Sequence, residues 1–257
     1  MRIDRSDDGD ERPDDADAPG LHAADADSGR NRSVAGEDSG HGPETGTAFR
    51  AERALEHRAT VDAANRAYAI DQGYARVREI EETTVTPAMR RIEAEDPDRY
   101  LAGLEHSLKG KDRLSEKVTE AMAERSRTVD EAFATVKDAI RYTFCYPEDR
   151  YTDGVVADCE RLEHEGFEPV DRRNSWDAKE YKGINGRWRV PGDGQLFEVQ
   201  FHTRASLDAK EETHWAYEKL RDPATVKAEQ EALSKYQRDV SAGIPIPPGA
   251  ADIPDYR

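Results

Sequence analysis

Apolar and polar residues alternate strictly from Phe197 to His202, within the run Leu196 to Thr203. Phe197, Val199 and Phe201 fall on one face of a strand, and Glu198, Gln200 and His202 on the other, because strand side chains have a period of two. Ile184 to Val190 alternates as well, setting Ile184, Trp188 and Val190 against Asn185, Arg187 and Arg189. Between the runs, Pro191-Gly192-Asp193-Gly194 is a turn signal, so together they predict a β-hairpin with one apolar and one polar surface.

Elsewhere the period lengthens. From Phe49 to about Glu95 the chain is rich in Ala, Glu and Arg, with Pro87 the one strong breaker, which predicts one long helix or two shorter ones. Its apolar content is thin, so one face packs on the later domain or on a partner. From about Leu104 the pattern becomes mixed. Helices are predicted at about 113–126 and 129–138, a strand at 139–146, a helix at 149–165, a strand near 167–172, then the hairpin, and helices at about 204–220 and 223–236. The fold class is α/β (α+β), with a mixed sheet of about four to five strands flanked by helices. The expected layout is an acidic tail over 1–47, a helical region over 48–103, the α/β domain over 104–240, and a proline-rich tail over 241–257 containing Gly243-Ile244-Pro245-Ile246-Pro247-Pro248.

Composition changes this picture at the N-terminus. Met1 to Gly46 is rich in Asp, Gly, Ser and Ala, with too little apolar surface to offset chain entropy, and reads as disordered. It holds 13 acids and 5 bases, a charge of −8, which leaves −9 of the total −17 for the rest. That balance argues against general affinity for DNA or anionic membranes, while leaving room for a local basic pocket. No apolar run is long enough to span a bilayer and no secretory pattern opens the chain, so a cytoplasmic location is expected. Cys145 and Cys159 stand alone, without zinc or disulfide spacing, and read as small core residues.

Two arginines and an asparagine beside Glu198, Gln200 and His202 suit phosphates plus a divalent cation; a solvated face of cross-strand ion pairs fits the hairpin equally well. Asp138 stands at the mouth of the 139–146 strand. With Glu198 it would make a Mg²⁺ pair, since Mg²⁺ takes one or two carboxylates and fills the rest with water and phosphate. The plainer alternative is that Asp138 caps the preceding helix or pairs with Arg141. Lys109, Lys111, Arg113 and Lys117 gather four bases in nine residues, enough for a triphosphate but also ordinary for a helix surface. Neither common glycine-rich nucleotide fingerprint is present. Tyr181, beside Lys182 and Gly183, offers either a stacking platform for a base or an aromatic lid over the core. Glu211, His214 and Glu218 share one helical stripe, but a di-iron bundle site needs a second such motif and none exists. Trp215 and Tyr217 read as packing residues.

Taken in order, these pieces resemble the RelA/SpoT-like synthetase domain, a family of ATP-dependent pyrophosphate transferases with a nucleotidyltransferase-like fold. The likeness runs from about Leu104 to Arg221. Phe197-Glu198-Val199-Gln200-Phe201-His202-Thr203 is similar to the family's Glu-Val-Gln-Ile-Arg-Thr strand, and His214-Trp215-Ala216-Tyr217-Glu218 to its His-Trp-x-Tyr-Lys helix. Lys109, Leu114 and Lys117 fall on the family's ATP-binding pattern, and Tyr181 on its Gly-Tyr-x-Ser-Leu-His loop.

The resemblance implies that Lys109 and Lys117 hold ATP phosphates, that Tyr181 stacks the acceptor base, and that Asp138 and Glu198 bind Mg²⁺. Glu198 also takes the proton of the attacking 3′-hydroxyl. Arg113, Arg141, Lys182, Asn185, Gln200, His202 and His214 complete the candidate substrate-binding set. The family's leading arginine falls on Ser107, its serine on Arg113, its loop histidine on Asn185 and its strand arginine on His202. The family's Asp-x-x-Gly-x-Arg is here the shorter Asp138-Ala139-Ile140-Arg141.

The leading expectation is Mg²⁺-dependent transfer of pyrophosphate from ATP to the 3′-hydroxyl of a nucleotide, guanine by family, or of an RNA end, as in toxin branches. The alternative is a catalytically silent relative that binds nucleotide, or a partner protein through the helical region or acidic tail.

Overall fold

The computed structural model describes the backbone of residues 44–256, with side chains from Phe49 onward. The expected acidic tail lies outside the described residues up to position 43, and its last positions already belong to a helix that begins at Glu44. Ala51–Arg257 forms one compact unit.

Helix α1 (Glu44–Ile80) continues through a single π-helical turn (Glu81–Val85) into α2 (Thr86–Ala94). Pro87 accounts for the turn. Proline has no N–H to give and its ring crowds the carbonyl four residues back, so the backbone widens, and Thr86 N–H closes the ring on the Glu81 carbonyl. Gly73 lets α1 lie against α4 (Val129–Thr135), since a Cβ there would sit 2.2 Å from the Phe133 ring.

The sheet comprises β1 (Tyr100–Leu101), β2 (Arg141–Tyr146), β3 (Glu168–Asn174), β4 (Ile184–Arg189) and β5 (Leu196–Thr203), in the order β1-β2-β5-β4-β3. Only β2 and β5 run parallel. The mixed five-stranded sheet agrees with the expected class. The hairpin is β4–β5, with Arg187 opposite Glu198 and Asn185 opposite Gln200. Phe197, Val199, Phe201, Ile184 and Trp188 are fully buried with Phe144 in the main core. Helices α3 (Lys111–Arg125), α5 (Tyr151–His164), α6 (Arg204–Arg221) and α7 (Lys227–Ser241) complete the domain. Thr203 caps α6 through a reciprocal bond with Ser206, so the chain turns directly from strand into helix.

Two expectations change. The helix expected over 129–138 ends at Thr135, which frees Asp138 into a turn before β2. The C-terminal segment is no free tail. Tyr256 bridges Arg172 on the edge strand β3, the Asn174 amide binds the carbonyls of Ala250 and Ile253, and Ala250 and Ile253 are buried. Trp215 and Tyr217 pack at the surface, 53% and 49% exposed, Trp215 lying against Tyr236 and Tyr217 beneath Arg221. Cys145 and Cys159 are buried and unpaired, as their isolation implied. Among the described residues no helix is long and apolar enough to cross a membrane.

Candidate functional site

The parallel β2–β5 pairing sets Arg141 in register with Glu198 on the polar side of the sheet. The turn before β2 brings Asp138 to the same point. Arg141 joins the two acids, its Nη2 donating to Asp138 Oδ2 at 2.9 Å and its Nε to Glu198 Oε1 at 2.8 Å.

Two lysines reach the same aspartate from separate segments. Lys117, on α3, donates to both carboxylate oxygens at 2.7 and 2.8 Å. Lys109 lies 3.3 Å from Oδ2, carried by a short segment tied to the start of β2 through Lys109 N–H to the Ala139 carbonyl and Arg141 N–H to the Ser107 carbonyl. Burial alone would push the Asp138 carboxyl up; hydrogen bonding from Lys117 and the charges of Lys109, Lys117 and Arg141 outweigh it and hold it down at about 2. Lys109 is lowered, by burial first and then by Lys117 and Arg141, against the pull of Asp138.

The cluster continues along β5. Gln200 Nε2 donates to Glu198 Oε1 at 2.8 Å, and Gln200 Oε1 accepts from Lys210 Nζ at 2.6 Å. Both bonds to Glu198 fall on Oε1, so Oε2 carries none among the described residues. Lys210, on the second turn of α6, was not foreseen. Burial lowers it, with Arg141 adding to the effect. The one signal for it was its place on the Lys210-His214 stripe of a helix that starts at the polar strand.

The remaining candidates make contacts of their own. Tyr181 Oη donates to Asn185 Oδ1 at 2.8 Å and meets His202 Nε2 at 2.9 Å, with the two rings edge to face. His202 is fully buried and its Nδ1 meets Ser206 Oγ at 2.8 Å, so both nitrogens are engaged within the protein. This corrects its assignment to substrate: the alternation placed it on the polar face, and the Tyr181 loop and the start of α6 cover it there. Burial, then Lys210, lowers the imidazole to about 3 and keeps it neutral. With the phenol proton given to Asn185, the consistent tautomer carries its hydrogen on Nε2. Lys182 Nζ donates to the Trp176 carbonyl at 2.6 Å. Arg113 pairs with Glu116 on α3, and His214 with Glu218 on α6, all four side chains exposed.

No family model matches the chain, and no curated protein does. Solved structures do match. Smu.1046c from Streptococcus mutans UA159 aligns with a TM-score of 0.44 at 16% identity, over 66% of this chain and 89% of that one. A GTP pyrophosphokinase family protein from Streptococcus pneumoniae aligns at 0.43 and 17%, over 66% and 87%. Small alarmone synthetase 1 from Bacillus subtilis, bound to its product pppGpp, aligns at 0.43 and 18%, over 66% and 88%. The chain resembles these proteins remotely.

Cavity size does not mark the cluster. A cavity of about 960 Å³ lies at the β3 edge among Asp171, Arg173, Arg187 and Tyr256 and touches none of the clustered residues. A smaller one of about 380 Å³ adjoins Lys117 and Asp138, with Arg127 and Lys137 on its wall. It can admit part of a ligand whose charged end reaches the cluster.

Two carboxylates, Asp138 and Glu198, face four cations, Lys109, Lys117, Arg141 and Lys210, most of them half-buried. The excess is positive. Cations held this close together out of full solvent gain from a bound polyanion, which solvated surface pairs do not need. Among the described residues no three His, Cys, Asp or Glu side chains gather as a metal cage. A cation here rests on two hard carboxylates, a donor set that fits Mg²⁺ when phosphate and water supply the remaining ligands.

Proposed function

We propose that this protein transfers pyrophosphate from ATP to the 3′-hydroxyl of a nucleotide or an RNA end. The observation that supports the reading is the meeting of Asp138 and Glu198 on Arg141, with Lys109 and Lys117 on the same aspartate. In the reaction the 3′-oxygen attacks the β-phosphorus of ATP, the bridging bond to the α-phosphate breaks, and AMP leaves. Such transfer asks the protein for in-line positioning and charge neutralisation more than for covalent chemistry.

Lys109 and Lys117 turn from Asp138 to the phosphate oxygens, and Arg141 follows, yielding its place between the two acids to a metal ion. Asp138 and Glu198 would hold Mg²⁺, which when bound would neutralise and orient the polyphosphate. Glu198 Oε2 accepts the proton of the 3′-hydroxyl, and Lys210, through Gln200, keeps the other carboxylate oxygen in place. Tyr181, anchored by Asn185 and His202, presents its ring to the acceptor base. The preferred acceptor is a guanine nucleotide, from the motif resemblance.

Incubating the purified protein with labelled ATP, Mg²⁺ and a panel of nucleotides and tRNA tests this. Label moves to one acceptor class, and Glu198→Gln stops it; transfer that survives this substitution removes Glu198 from the chemistry. One observation favours a second reading. Both oxygens of Asp138 are already bonded by the protein's own cations, as in a self-neutralised site of a silent nucleotide binder. Nucleotide binding by calorimetry without transfer to any acceptor selects that reading.

A further inference from the structure

We propose that Glu81, buried in the π-helical turn, is a positioning residue for the candidate site: it fixes the segment that carries Lys109 against the strand that carries Arg141. The inference rests on the nucleotide-binding reading of the cluster, in either its active or its silent form.

Glu81 is 7% exposed, which is rare for a glutamate unless it is bonded. One oxygen, Oε1, collects three hydroxyls: Ser107 Oγ at 2.7 Å, Thr86 Oγ1 at 2.5 Å and Tyr142 Oη at 3.2 Å. Thr86 Oγ1 is also 2.6 Å from Tyr142 Oη. Thr86 belongs to Glu81's own helical segment. The other two do not, and their positions carry the argument.

Ser107 stands two residues before Lys109, and its carbonyl accepts the Arg141 N–H at 2.7 Å. Tyr142 stands one residue after Arg141 on β2. A single carboxylate oxygen therefore holds one residue from each of two segments whose lysine and arginine meet on Asp138. The Ser107–Lys109 segment is held by few backbone bonds, Ser107 N–H to the Leu104 carbonyl and Arg141 N–H to the Ser107 carbonyl among them, with Leu108 packed on the core. It adds to β2 through one isolated bridge, Leu108 to Ile140, with Lys109 N–H on the Ala139 carbonyl. A strand this short slips easily unless a side chain pins it.

The π turn is what makes the contact available. Its wider ring lets Glu81 and Thr86, five residues apart and joined by the turn's own backbone bond, put their side chains on one partner. Burial raises the Tyr142 phenol, with the Glu81 charge adding to this, so it stays protonated as a donor. The pattern also explains why a serine stands at 107. A longer basic side chain could not enter this buried pocket of hydroxyls.

The test compares Mg²⁺-ATP binding by calorimetry in the wild type, Ser107→Ala, Glu81→Ala, Glu81→Gln and Thr86→Val, with thermal unfolding as the check on folding. Ser107→Ala and Glu81→Ala are expected to weaken ATP binding about fivefold to tenfold, as for loss of one well-placed charged contact. Glu81→Gln keeps an Oε1 acceptor and is expected to restore binding. Thr86→Val removes a hydroxyl that meets both the same oxygen and Tyr142 Oη on β2 but leaves the Ser107 bond to Glu81 in place, so it is expected to lower the unfolding midpoint and to weaken ATP binding less than Ser107→Ala does. If Ser107→Ala binds as the wild type does, or if Thr86→Val weakens binding as much as Ser107→Ala, the positioning role is overturned and the cluster reading stands. If the wild type itself binds no ATP, both fall together.

Discussion

Arg141 holds Asp138 and Glu198 with one guanidinium, at 2.9 and 2.8 Å, and so occupies the place between two carboxylates where a bound cation would lie. The planar fork suits this double grip; a lysine has one point charge and cannot reproduce it. Arg141→Lys is therefore expected to fold, with stability within about 1 kcal/mol of wild type because the pair is partly solvated. Pyrophosphate transfer is expected to fall about 100-fold, as for loss of one preorganised donor, since lysine keeps the charge and loses the fork. Parallel urea unfolding and label-transfer assays check both halves; equal loss in the two would mean that Arg141 serves only the fold.

The carboxyl of Asp138 gives the cluster a pH signature. Its folded value, about 2, lies below its ordinary 3.8, so the group adds stability that is fully present above about 3.8 and is lost as pH falls through about 2. The difference corresponds to about 2 kcal/mol. Urea unfolding at pH 7, 4 and 3 measures it. Wild type is expected to exceed Asp138→Asn by about that amount at pH 7, with the gap narrowing at pH 3. A gap that is constant with pH would point to lost shape rather than lost charge.

His202 acts at higher pH and with the same sign. Its folded value is depressed from 6.5 to about 3, so only the unfolded chain takes up a proton between those limits. Stability present above pH 6.5 is lost progressively as pH falls towards 3, at up to about 1.4 kcal/mol per pH unit. A His202→Gln variant, which cannot titrate, is expected to lose this slope between pH 6.5 and 4.5 in denaturant unfolding. An unchanged slope would move the acid sensitivity elsewhere.

What the residues revealed in advance, and what they hid, divides along one line. Period-two alternation depends on the strand alone, so the faces of Glu198 and Phe197 were legible before any fold existed. Glu198, Asp138, Lys109 and Lys117 were legible by charge and spacing, and the fold brings them together. What covers a face is a tertiary matter. The alternation therefore put His202 with Glu198 and could not show that Tyr181 and Ser206 close over it. Lys210 was hidden for the same reason, because its partner Gln200 lies on the preceding strand across the cap at Thr203. Ser107 read as a lost arginine until Glu81 was seen against it. Strand β1 is two residues long, too short for any period.

Gly183 ties the Tyr181 loop to this buried histidine. Its φ of +147° is a conformation that side chains rarely adopt, and a Cβ there would stand 2.8 Å from His202 Cε1 and 3.2 Å from the Phe201 carbonyl oxygen. Neither neighbour can retreat easily: His202 is held at both nitrogens, and the Phe201 carbonyl accepts from Tyr151 Oη at 2.9 Å. Gly183→Ala is therefore expected to cost about 2 to 3 kcal/mol, from backbone strain together with overpacking. It should also displace the Tyr181 ring, since Tyr181 shares its anchor on His202. Acceptor binding is expected to weaken more than ATP binding, because Lys109, Lys117 and Asp138 lie on other segments. Calorimetry with ATP and with a guanine nucleotide, at a temperature where the variant remains folded, reads the two separately; equal weakening of both would show that the loop does not belong to the acceptor side.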